Sequence, residues 1–327
     1  MNKYSKGSRN LVCLCLVVLL SQPGWAWGNR GHRLVNQVAA ETLPADMPAF
    51  LHTQEAIHEI SYFGPEPDRW RPRTEPELTA TSSPDHGFKL ELGDLVGAYP
   101  RHRYDFLRLL ATVQAPEGTG PLTPERVGML PWQAIEVFDR LKSSFREYRL
   151  LTGEFPGKDF SELEPMTAAD LPYVQHAILF YAGWLGHYIG DGSHPLHTTI
   201  NSNTWVAKDN PKGFSRTKGA HVDLEQMSDR AIEAGLLREE MVRKYTTPPA
   251  RLTDPFLDTI AYLRTSHEYV ETTFSLDGSG ALAGTGTAES IQFTAQRMGA
   301  GAAMLRDMIY SAWLESANLD APPYPTK

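Results

Sequence analysis

Apolar residues in this chain recur at helical spacing in stretch after stretch, and nowhere is the every-second-residue alternation of a half-buried strand sustained. Leu34, Val35, Val38 and Ala39 mark a helix over 29–43, and Phe106, Leu109 and Leu110 mark another over 99–113. Thr123 followed by Pro124 is a capping hydroxyl with proline at the first helical position, opening a helix that runs to 151 with a kink expected at Pro131. Further helices are expected over 168–190, 221–237, 254–274 and 287–314. An all-α fold follows. The Pro-rich stretch 64–84, the Pro/Gly-rich stretch 114–121 and the Gly-rich stretch 276–287 read as loops. None resembles an interdomain linker, so one large helical domain is the simplest account. With 41% hydrophobic and 21% charged residues, the chain can bury a sizeable core and is not mainly disordered.

The first 26 residues are read as a signal peptide. Lys3, Lys6 and Arg9 precede the apolar run 11–20, and Gly24 and Ala26 supply small residues before a cleavage point. Ten apolar residues are too short to span a bilayer, which takes about 20. The processed domain, 27–327, is expected to begin at Trp27 and to be secreted or periplasmic. It carries no cysteine, since Cys13 and Cys15 both fall in the leader. Disulfides therefore cannot brace it in an oxidising compartment. The formal net charge of −8 becomes more negative still on losing three leader cations, so a general basic footprint for duplex nucleic acid is missing.

Chemistry concentrates in the stretch 187–197. His187 and Asp191 are four residues apart in an apolar helical pattern, so both side chains share one face and can meet one cation. Gly192 and Pro195 end the helix, which lets His197 turn back towards them. His221 and Glu225 repeat the four-residue spacing. One His/acid pair alone is more often a surface ion pair worth roughly 0.3–0.5 kcal/mol. Two pairs flanking a third histidine, one of them in an apolar helix, favour metal binding instead. Imidazole with carboxylate is a zinc-type donor set.

The order of these motifs, together with Trp-Gly-x-x-Gly-His at the expected mature start, resembles the superfamily of zinc-dependent phospholipase C and S1/P1-type single-strand-specific nucleases. The resemblance covers 27–225 and implies a helical domain built around three zinc ions. It implies Asp68, His86, His187 and Asp191 at the first zinc and His197, His221 and Glu225 at the second. The third would take the α-amine and carbonyl of Trp27 with His32, bridged by Asp191. Asp85 competes with Asp68; Asp68 is preferred because Arg71 follows three residues later, as in the nucleases' D-x-x-R motif. By the same resemblance Asp68 orients or deprotonates a zinc-activated water that attacks phosphorus, and Arg71 stabilises charge on the phosphoryl group.

The reading that leads is an exported nuclease cleaving single-stranded nucleic acid. The alternative is a zinc-dependent phospholipase C acting on phospholipid headgroups, which Glu225 favours because the nucleases carry Asp there. A second alternative is a non-catalytic exported zinc-binding module. The loop 198–219, with Trp205, Lys212 and Arg216, is a candidate surface for stacking a base and steering its phosphate. His194 replaces the nucleases' usual Gln and is read as a packing residue inside the ligand loop.

Overall fold

At the centre lies one long apolar helix whose buried C-terminal turns carry chemistry. The computed structural model describes residues 27–155, 167–217 and 219–318; the expected leader and Lys218 lie outside them. The main helices are α1 (Asn29–Glu41), α2 (Gln54–Phe63), α3 (Arg103–Thr112), α4 (Leu130–Leu151), α5 (Leu171–Ser193), α6 (Ala220–Glu233), α7 (Pro255–His267), α8 (Val270–Gly278) and α9 (Ala288–Ser316). Short helical pieces at Glu66–Arg69, Pro76–Ser82, Leu90–Gly93, Pro124–Val127 and Glu239–Arg243 fill the connections. Among the described residues there is no strand, and the one extended pairing is an isolated antiparallel bridge between Phe88 and Gly128. The protein is all-α.

α5 packs against α1, α2, α4 and α9. Its apolar residues Ile178, Ala182, Leu185 and Ile189 join the main core with Leu34, Val35 and Val38 of α1, and Leu305 and Met308 of α9. A helix apolar on most sides has to be central, because no face of it gains from water. One polar brace crosses this core. The Asn36 amide donates to the carbonyls of Ile60 and Gly183, both at 2.9 Å, and so locks α1 to α2 and α5.

Several boundaries differ from the sequence expectation. Pro131 does not kink a helix; it occupies the first turn of α4, where its missing N–H costs nothing, and Pro124–Val127 is a separate short helix. The stretch 254–274 divides into α7 and α8. Arg297 from α9 bridges the junction, donating to Ser266 Oγ at 3.1 Å with its guanidinium 4.4 Å from the Tyr269 ring centre. The 64–84 stretch, read as a loop, contains two short helices, each with proline in its first turn.

Candidate metal centre

Six elements deliver side chains to one interior point. α1 brings His32, the Glu66–Arg69 helix brings Asp68, and the 3₁₀ turn Ser83–His86 brings His86. The last turns of α5 bring His187 and Asp191, the 3₁₀ turn Pro195–His197 brings His197, and α6 brings His221. All seven side chains are buried. Two groups of three hold their ligand atoms within 4.8 Å of one another: His32, Asp68 and His187, and His86, His187 and Asp191. His187 Nε2 lies 3.5 Å from Asp191 Oδ2 and 3.8 Å from Asp68 Oδ1. His86 Nδ1 is 3.1 Å from Asp191 Oδ2, and His32 Nε2 is 3.4 Å from Asp191 Oδ1. Asp191 therefore sits between the histidines of both groups, and the His32 ring stacks on His187 with centroids 4.1 Å apart.

Hydrogen bonds at the backs of the rings settle which nitrogens face inwards. His187 Nδ1 donates to the Gly64 carbonyl at 2.9 Å, His221 Nδ1 to Ser202 O at 3.0 Å, and His197 Nδ1 to His86 O. Burial holds His187 and His197 well below the usual imidazole pKa, and His32 and His86 at about 4, so these rings are neutral. In a neutral ring whose Nδ1 donates, Nε2 carries only a lone pair. Yet His197 Nε2 and His221 Nε2 face each other at 3.2 Å. That separation suits one cation held by both nitrogens. Nitrogens bound at about 2.0–2.1 Å to one tetrahedral zinc stand about 3.3 Å apart. Elsewhere in the cluster Asp68 Oδ2, Asp191 Oδ1, both His32 nitrogens and His86 Nε2 are buried without a hydrogen-bond partner. Orphaned acceptors are costly in a dry interior, and a shared cation would satisfy them. The donor set fits zinc.

The other expected residues are placed as follows. Trp27 is fully buried, its indole donating to Gly190 O at 2.9 Å and Ser193 Oγ at 2.8 Å, which sets it against the end of α5. Glu225 lies one turn beyond His221 on α6, half-buried, and belongs to neither group of three. Arg71 pairs with Asp68 and lines a cleft of about 240 Å³ together with His86, Lys89, Asn203, His197 and His221. Asp85, the alternative to Asp68, turns away to Arg103 at 3.3 Å, and burial pushes its carboxyl up to about 7.

The loop 198–219 corrects one expectation. Trp205 is 8% exposed and packs with Leu196, Val270 and Phe274, its indole donating to Asp209 O at 2.8 Å. A ring enclosed in that way has no face for a base. Arg216 donates to the carbonyls of Trp205, Ala207 and Lys208, and Lys212 pairs with Glu271 at 2.6 Å. These three residues brace the loop; none of them lines the cleft. His194, conversely, has more part in the cluster than a packing role suggested. It is fully buried, its Nδ1 accepts from Leu196 N at 3.2 Å, and its ring stands 4.7 Å from those of Trp27 and His221. Its place two residues before Leu196 in the ligand loop was the available signal.

No protein family and no curated protein matches this sequence. Among solved structures it is similar to the alpha toxin from Clostridium absonum, at 13% identity and a TM-score of 0.45, covering 91% of this chain and 68% of that one. It is also similar to a Clostridium perfringens alpha-toxin isolated from an avian strain, at 14% identity and a TM-score of 0.39, covering 90% of this chain and 66% of that one.

Proposed function

We propose that this protein is an exported zinc-dependent phosphodiester hydrolase. The buried cluster carries the reading: His86, His187 and Asp191 bring their ligand atoms within 4.8 Å of one another, and Asp68 Oδ2 and Asp191 Oδ1 lie buried without the hydrogen-bond partner that a cation would replace. The ligands assigned are Asp68, His86, His187, Asp191, His197, His221 and His32, with Glu225 and the mature amine of Trp27 completing a set of three ions. Bound zinc supplies Lewis acidity and lowers the pKa of water towards about 7.

The chain's own groups then divide the work. Carbonyls at the backs of His187, His197 and His221 fix the tautomer that turns Nε2 inwards. Asp68 Oδ2, lacking a partner, is the oxygen placed to orient a water or take its proton. Arg71, held by Asp68 at the cleft wall, offers a guanidinium to the phosphoryl oxygens. Lys89, whose ammonium burial pulls down to about 8, adds a second cationic group to the same wall.

On substrate, the cleft favours a phospholipid headgroup over a stacked single strand. Among the described residues that line it there is no Phe, Tyr or Trp, and Trp205 is buried elsewhere. A small cleft with Arg71 and Lys89 suits a phosphate and a compact alcohol. The test compares bis-p-nitrophenyl phosphate, phosphatidylcholine vesicles and single-stranded DNA under one zinc loading, with and without chelator. Chelator-sensitive release of diacylglycerol is expected. Release of nucleotides instead would restore the nuclease reading, and bound zinc without any turnover would leave a binding module.

A further inference from the structure

The first turn of α1 is capped from the far end of the chain. Gly28 stands at the N-cap position and offers no capping side chain. Its role is filled by Asp229 on α6, two turns beyond His221, whose carboxylate accepts the Gly31 N–H at 3.1 Å and also that of Arg30. The contact is tight: a Cβ on residue 28 would fall 2.3 Å from Asp229 Oδ2. A side chain at 28 would therefore have to displace the carboxylate beside it. One turn further along α6, Glu233 pairs with Arg30 at 2.9 Å and repeats the tie. An acidic group at a helix N-terminus is favourable in its own right, since it meets unsatisfied N–H donors and the positive end of the helix dipole. Here the group also connects two ligand-bearing helices, because His32 follows Gly31 directly and His221 lies on the same helix as Asp229.

We infer that Asp229 is a positioning residue, which holds the segment Trp27–His32 in register with α6 and so sets the place of His32 in the metal cluster. The inference rests on the metal-centre reading above and deepens it. It also bears on the Trp-Gly-x-x-Gly-His pattern, since Gly28 leaves room for the carboxylate, whereas Gly31 is small because a Cβ there would fall 2.7 Å from the Trp27 Cβ. Asp229 touches no reacting atom in this account. Its effect passes through His32 and is read in how tightly the cluster keeps its metal.

The experiment uses the full chain, exported and processed, loaded with zinc. Asp229→Ala, Asp229→Asn and Gly28→Ala are compared with the parent by zinc content, by the rate of zinc loss to a chromophoric chelator, and by melting temperature. Residues that orient metal ligands typically change metal affinity by about 10–100-fold, so Asp229→Ala and Gly28→Ala should each release one ion at least about tenfold faster. Asp229→Asn keeps one acceptor oxygen and should fall between them and the parent. If Asp229→Ala does not fold, Gly28→Ala still reads the same contact with the carboxylate in place. A lower melting temperature with parental zinc content and release rates would make Asp229 only a helix cap and overturn the inference. A parent chain that holds no zinc would overturn the metal-centre reading, and the inference with it.

Discussion

A buried histidine is a neutral ring with one donor and one acceptor, and a buried carboxylate is acceptor-rich, so a cluster of both is short of positive charge. In this cluster the deficit falls on the carboxylates. Burial raises Asp68 and holds Asp191 up at about 7, the hydrogen bond from His86 opposing it, while the rings of His32 and His86 are held at about 4. A ligand carboxylate has to be ionised, so a metal entering the metal-free protein must displace the proton that Asp191 keeps below about pH 7. The rings of His32, His86, His187 and His197, all lowered by burial, have none to give above about pH 5. Zinc uptake should therefore release more protons from the Asp68 and Asp191 pair at pH 6 than at pH 8, with affinity rising between the two. Titration calorimetry in two buffers of different ionisation enthalpy measures that release. Equal release at both pH values would mean that neither buried carboxylate gives up a proton to the metal.

At the scale of elements, the cluster depends on turns as much as on helices. The segment carrying His86 is fixed by a crossing of Gly87–Phe88 with Val127–Gly128, where Met129 N donates to Pro84 O at 2.7 Å and Lys89 N to Val127 O at 2.6 Å. Gly128 has φ +95°, and a Cβ there would lie 1.9 Å from Gly87 O. Gly128→Ala should cost about 1–3 kcal/mol from backbone conformation alone, and more if Gly87 cannot move. It should also disturb His86, so the urea midpoint and the hydrolysis rate are expected to fall together. A stable variant with full activity would show that this crossing does not position His86. Helix existence was legible because long apolar stretches have one stable use. The ends were less so: α7 and α8 separate where Arg297 arrives from another helix, which no local pattern announces. α2 was legible and went unread, since Thr53 caps it by accepting from Ala56 N at 3.1 Å and Ala56, Ile57 and Ile60 repeat at helical spacing. In the site, four-residue spacing brought out His187 with Asp191. The burial of Trp205 was invisible, because its partners Val270 and Phe274 lie far along the chain.

Across the whole molecule, the cluster gathers residues 32, 68, 86, 187, 191, 197 and 221, and nothing covalent holds those stretches together. No cysteine occurs after residue 15, so an exported form beginning at 27 would have no disulfide to oppose unfolding. What holds the stretches at their meeting point is helix packing around α5 together with whatever satisfies the buried lone pairs. Each ion bound by the folded state alone adds RT ln(1 + [L]/Kd), about 4 kcal/mol at a thousandfold excess over Kd. Zinc removal should therefore lower the melting temperature and the urea midpoint substantially, and the unpaired acceptors left behind should make the loss larger than that of a surface site. Restoring zinc should restore both quantities, whereas magnesium, which prefers octahedral oxygen coordination, should not. Melting that is indifferent to chelator, in a chain shown to be zinc-loaded beforehand, would mean that the interior is held by packing alone and that the facing nitrogens of His197 and His221 have another explanation.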